Sequence, residues 1–174
     1  EFSEHRPYMP GDPLRDIDWK AYAKSDRLYV KQYEEETNLK AYILLDISGS
    51  MDFKAGAPLS KFRYATSLAA ALSYLMLKQR DAVGLLLYHH QIETYVPPRS
   101  MQSHLQVLLK TIEQAQPQKD TKMAPAFHDL AERISRRGLV IVLSDLLDDP
   151  AEVLKGLRHF RHLGHEVIVF HLLD

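Results

Sequence analysis

The sequence predicts an α/β domain: a mostly parallel, Rossmann-like sheet with helices on both faces, preceded by a short charged helix–strand segment. Three observations lead there. The apolar run Ala41–Leu45 is aliphatic and β-branched, as a strand buried on both faces is; Ala82–Tyr88 reads as a second buried strand, and Leu139–Leu143 and Glu166–Leu172 as further strands. Segments with helical spacing separate most of them, which calls for right-handed crossovers. Two of the runs end in acids and hydroxyls, Asp46-Ile47-Ser48-Gly49-Ser50 and Ser144-Asp145. In open α/β sheets, ligands collect beyond the carboxyl ends of the strands.

Taken in order, residues 1–38 are polar and charge-dense. Pro10-Gly11-Asp12-Pro13 is a turn signal, and Asp12-Pro13 can open a helix with the acid as its cap. Asp16, Asp18 and Trp19 are then expected on a short helix reaching about Lys24, with Leu28–Tyr33 as a strand. Arg6 and Arg15 are expected to pair with Asp12, Asp18 or the Glu34–Glu36 run, and Trp19 is expected to pack.

From Ser60 to Gln79, Phe62, Ala65, Ala69, Leu72 and Met76 recur at three or four residues and mark one buried helical face. Ile92–Val96 reads as a short returning strand stopped by Pro97-Pro98. Gln102–Gln114 and Pro125–Arg136 read as helices, the second closed by Gly138 in a left-handed cap. Asp149-Pro150 starts the last helix, with Asp149 as its cap.

The 174 residues are 45% hydrophobic, enough for one domain with a real core. A net charge of −1 gives no global pull toward nucleic acid or a membrane surface. The absence of cysteine excludes disulfides and thiolate metal sites and fits a reducing, cytoplasmic compartment. No run approaches the roughly 20 apolar residues of a spanning helix, so no membrane contact is expected of this segment. Glu1 in place of a start methionine, and a strand reaching the terminus, lead us to expect a piece of a longer protein, truncated at its C-terminal end. Membrane attachment would then come from elsewhere in the parent chain.

The most informative stretch is Asp46-Ile47-Ser48-Gly49-Ser50-Met51. Asp46, Ser48 and Ser50 at alternate positions can turn hard oxygens toward one point, with Gly49 easing the bend. Hard oxygens suit Mg²⁺, Mn²⁺ or Ca²⁺. The bland alternative is that Asp46 and Ser48 only cap a turn. Histidine sites are less well supported. His159 and His162 lack further ligands at suitable spacing, and His89 and His90 should point to opposite faces of a strand.

Asp-x-Ser-x-Ser after a buried strand resembles the metal-ion-dependent adhesion site of von Willebrand factor A domains. The opening Arg6-x-Tyr8-x-x-Gly11-Asp12-x-x-Arg15-x-Ile17-Asp18-Trp19-Lys20, followed by Leu28-x-Val30-Lys31-x-Tyr33-Glu34-x-Glu36, resembles the signature of the DUF58 family. The resemblance implies a signature segment at 1–38 packing on a von Willebrand A-like domain at 39–174. It implies metal ligands Asp46, Ser48 and Ser50 from the first loop, Thr121 from the second and Asp145 from the third. The glycine that usually flanks the second-loop threonine is missing here, and Asp120 is an alternative donor.

The function implied is a noncatalytic, metal-dependent protein-binding domain whose partner supplies an Asp or Glu to the ion. Families with this resemblance accompany MoxR-type AAA+ ATPases, which implies an adaptor or co-chaperone role. Two alternatives stand beside it: a metal-assisted phosphatase or hydrolase, and a structural domain with a degenerate metal site. Against the enzyme, Ser48 stands where an aspartyl-phosphate phosphatase usually carries its second acid, and no nucleotide loop or serine-hydrolase elbow is present.

Overall fold

The computed structural model describes residues 2–33, 39–54, 56, 58–118, 124–134 and 137–173. The chain divides into two compact units, residues 1–37 and 38–174.

In the first unit, strand β1 (Phe2–Pro7) pairs antiparallel with β2 (Tyr29–Tyr33). Helix α1 (Trp19–Ser25) lies between them in sequence. The charge-dense composition hid β1, which has little of the apolar alternation that marks a strand. The helix also starts later than expected. Leu14–Asp16 form a separate 3-10 turn, and Ile17 bridges to Val30. Asp18 is therefore the cap of α1, its carboxylate accepting from the N–H groups of Lys20 and Ala21. Asp12 caps no helix: its carboxylate accepts from the Met9 N–H and pairs with Arg6 at 2.9 Å. Arg15 makes a loose pair with Asp16, at 3.6 Å; the Glu34–Glu36 run lies outside the described residues. Trp19 does not pack inward; it is exposed, its ring edge-on to Tyr22.

The second unit is α/β, as the sequence predicts. Its five-stranded sheet has the order β5-β4-β3-β6-β7. Strands β3 (Lys40–Asp46), β4 (Ala82–Tyr88), β6 (Leu139–Ser144) and β7 (Glu166–His171) are parallel. The antiparallel β5 (Ile92–Arg99) closes one edge. It runs through Pro97-Pro98 rather than stopping there. An edge strand tolerates residues without an N–H on its outward side, and a register shift opposite Gly84 absorbs them.

Helices α2 (Lys61–Lys78) and α3 (His104–Gln114) contribute to the core on one face. There Phe62, Ala65, Ala69, Met76, Leu108 and Ile112 meet Ile43, Leu45, Leu85 and Ile141. Helices α4 (Ala124–Arg133) and α5 (Pro150–His162) cover the other, where Phe127, Leu130 and Phe160 meet Tyr42, Leu44, Leu86 and Val142. Residues 41–45 of β3 are buried on both sides, which explains their unbroken apolar run.

One glycine assignment changes. Gly138 does not adopt a left-handed conformation. It is needed because a Cβ there would overlap the Lys40 carbonyl. Gly164, after α5, is left-handed, at φ +85°. Asp149 does cap α5, accepting from the Ala151 N–H at 2.8 Å. His89 and His90 lie in the turn after β4, not on a strand, and their Nδ1 atoms are 2.6 Å apart. Among the described residues, no helix is long and apolar enough to cross a membrane.

Candidate metal centre at the carboxyl edge of the sheet

The central strand β3 delivers Asp46 to the sheet's carboxyl edge, flanked by the ends of β4 and β6. Beyond it, Ile47 and Met51 are buried and act as apolar anchors for the loop. Backbone bonds fix it further: Ile47 N–H donates to Tyr88 O at 2.8 Å, and Met51 N–H to Ser48 O at 3.1 Å. Residues Gly49–Asp52 form a 3-10 turn. Gly49 has no positive φ, so the bend does not depend on glycine's left-handed freedom.

Anchored in this way, the loop turns two hydroxyls together. Ser48 Oγ and Ser50 Oγ are 3.0 Å apart, and Ser50 Oγ donates to Asp145 Oδ1 at 3.2 Å. Asp145 arrives from the loop after β6. That loop bends sharply, with Leu146 left-handed at φ +52°. Such a conformation costs a non-glycine residue of order 1 kcal/mol and tends to occur at functional sites. The Leu146 N–H donates to Ser144 Oγ and the Leu147 N–H to Asp145 Oδ1, which hold the bend. His171 Nε2 donates to the Asp145 carbonyl at 3.0 Å.

Asp46, the first residue of the motif, ends β3. It is fully buried, and both its oxygens are engaged. Oδ1 accepts from the Ser48 N–H at 2.8 Å and Oδ2 from the Ser144 hydroxyl at 2.6 Å. Burial pushes its carboxyl above the ordinary carboxylate range, against the pull of the Ser144 and Ser48 bonds. Neighbouring Asp145 adds to the rise. Asp46 therefore shapes the loop from behind, and the oxygens that converge are those of Ser48, Ser50 and Asp145.

Two groups here were not found from the sequence. Ser144 is the partner of Asp46, and Lys61 Nζ holds Asp145 Oδ2 at 2.8 Å. Tyr88, fully buried close by, has its hydroxyl pushed well above the usual phenol value by burial and then by Asp46, with Ser144 opposing. Thr121 and its alternative Asp120 lie outside the described residues. The described chain before them returns to the loop, with the Gln118 N–H donating to Ile47 O at 2.6 Å.

The donor set fits a small hard cation. The separations of 3.0 and 3.2 Å are hydrogen-bond distances, and neighbouring oxygens around an octahedral ion bound at about 2.1 Å also stand roughly 3 Å apart. Two hydroxyls and one carboxylate oxygen leave room for waters. Among the described residues, no group of three or more His, Cys, Asp or Glu is placed to hold a metal ion.

The family model described as "Protein of unknown function DUF58" matches residues 4–174. The chain belongs to the DUF58 family. It is similar to the uncharacterized proteins Rv1480 of Mycobacterium tuberculosis and Mb1516 of Mycobacterium bovis, each 31% identical over 177 aligned positions. Those alignments cover 100% of this DUF58 chain and 55% of each relative, so the chain spans about half the length of the curated relatives it matches.

Among solved structures, the conserved hypothetical protein BatB from Bacteroides thetaiotaomicron superposes with a TM-score of 0.62 at 20% identity. It covers 75% of this chain and 65% of that one. An aerotolerance-related membrane protein from Bacteroides fragilis gives 0.62 at 21% identity, over 75% and 66%. At such identities these likenesses show that the DUF58 chain shares their fold.

Proposed function

We propose that this DUF58 domain is a noncatalytic, divalent-metal-dependent protein-binding module, with Mg²⁺ or Mn²⁺ as the ion. The observation that carries this reading is the convergence of Ser48 Oγ, Ser50 Oγ and Asp145 Oδ1 at one sheet edge. Ser48, Ser50 and Asp145 would hold the ion, and Asp46 would orient the loop. A bound ion would supply positive charge that neutral hydroxyls compensate poorly, and so attract one further anionic ligand. In our reading, that ligand is an Asp or Glu from the partner protein.

The surroundings support a protein partner. Phe53, Leu59 and Leu147, on loops near the site, are exposed although they are large and apolar. A groove of about 670 Å³ beside Lys61, lined by Leu59, Tyr64, Phe170 and Leu172 among others, extends the apolar surface. We further propose an adaptor or co-chaperone role with a MoxR-type AAA+ ATPase, on the strength of the DUF58 membership.

Catalysis is poorly served by the same geometry. A phosphatase nucleophile at Asp46 would need a free, accessible oxygen, but Asp46 is fully buried with both oxygens bonded.

The test is calorimetric titration of Mg²⁺ and Mn²⁺ into the wild type and Ser48→Ala, followed by pull-down of the ATPase with ion or chelator. The expected result is metal binding and ATPase capture that both weaken in Ser48→Ala. Capture that survives chelator would remove the metal from the mechanism. Turnover of a phosphoester by the wild type would replace binding with catalysis.

A further inference from the structure

The two oxygens of the Asp145 carboxylate are used unequally. Oδ1 faces Ser50 Oγ and the Leu147 N–H, each at 3.2 Å, while Oδ2 is held by Lys61 Nζ at 2.8 Å. The pair is well buried, with side chains 13% exposed for Lys61 and 4% for Asp145. Lys61 is the first residue of α2, the end where the helix dipole disfavours a cation. Burying an ammonium there carries a desolvation cost as well. What it touches offsets these costs: Asp145 Oδ2, and the Phe53 ring, whose centre is 5.9 Å from Nζ.

We propose that Lys61 sets the metal selectivity of the site, by restricting Asp145 to a single oxygen that can face the ion and so disfavouring Ca²⁺ relative to Mg²⁺ and Mn²⁺. The proposal rests on the metal-dependent reading above. Ca²⁺ takes six to eight oxygens and often grips a carboxylate through both, whereas Mg²⁺ holds six ligands in a strict octahedron and keeps several waters. With Oδ2 on Lys61, the two-oxygen grip is blocked. The ammonium also repels every divalent ion alike, which lowers all affinities together. The ratio between ions therefore reports the geometric effect, and the absolute affinity does not.

The experiment is calorimetric titration of Mg²⁺, Mn²⁺ and Ca²⁺, separately, into the wild type, Lys61→Met and Lys61→Arg. A thermal melt first shows that each variant is folded. Affinity for all three ions is expected to rise in Lys61→Met, with Ca²⁺ gaining most and the Mg²⁺-to-Ca²⁺ affinity ratio falling about tenfold. Lys61→Arg, which can still bond Oδ2, is expected to keep the ratio. A folded Lys61→Met that binds Mg²⁺ with the wild-type ratio would overturn the proposal and leave the metal site standing. Failure of all three proteins to bind any ion would overturn the metal reading itself.

Discussion

Ser144 donates a 2.6 Å hydrogen bond to Asp46 Oδ2, joining the ends of two neighbouring strands across 98 residues of sequence. The same Ser144 oxygen accepts from the Leu146 N–H at 2.8 Å. One hydroxyl thus orients the acid behind the first loop and holds the left-handed bend that presents Asp145. Both loops of the candidate centre hang on it.

Ser144→Ala removes that donor and leaves a buried carboxylate oxygen without it. A lost bond to a buried charged group costs about 1–3 kcal/mol, so the midpoint of urea unfolding should fall with little change in slope. Outer partners of metal ligands commonly contribute roughly 10- to 100-fold to affinity. Calorimetry on folded Ser144→Ala should accordingly show Mg²⁺ binding weakened by about that factor. Undiminished binding would mean that Asp46 keeps its orientation without Ser144.

The loop motif itself was legible because its chemistry sits in five consecutive residues at the end of an unmistakable buried strand. Ser144 was read only as a strand-end hydroxyl beside Asp145; its bond to Asp46, 98 residues away in sequence, is visible only in the fold. Lys61 gave no signal. A lysine at a helix start looks like a solvated surface residue, and only the tertiary fold brings it to Asp145.

The interior strands of the second unit were readable from burial on both faces. β5 and β1 were read short or missed, because an edge strand with prolines and a charged hairpin strand carry little periodicity. The glycines divide in the same way. Gly164 is a local requirement of backbone angle, whereas Gly138 and Gly156 answer to atoms distant in sequence.

Gly156 offers a test of that long-range packing. In a helix interior, Gly→Ala ordinarily stabilises by about 1 kcal/mol. Here a Cβ would stand 2.6 Å from Phe127 Cβ, where α4 and α5 meet, and Phe127 is fully buried. Overpacking of this kind costs about 1–3 kcal/mol, enough to outweigh the helical gain. Gly156→Ala should therefore lower the thermal midpoint while leaving metal titrations unchanged. A raised midpoint would show that α4 and α5 can separate cheaply.

His165 gives the last prediction, one of pH dependence away from the candidate centre. It follows the left-handed Gly164, and its side chain is almost wholly buried against Phe160, with no hydrogen-bond partner for Nδ1 among the described residues. Burial lowers its pKa below the ordinary imidazole value of 6.5; backbone hydrogen bonding at Ile134 and Gly138 opposes this, and the Arg137 charge adds to it. The unfolded chain then binds more protons than the folded one over the window just below that ordinary value. Stability linked to His165 is complete above the unfolded value and is lost as pH falls through it toward the lowered folded value. His165→Leu removes the titrating group. Urea unfolding of both proteins at about pH 7.5 and about pH 5.5 should show the wild type losing more stability on acidification than the variant. Equal losses would mean that the buried imidazole accepts its proton without strain in the folded state.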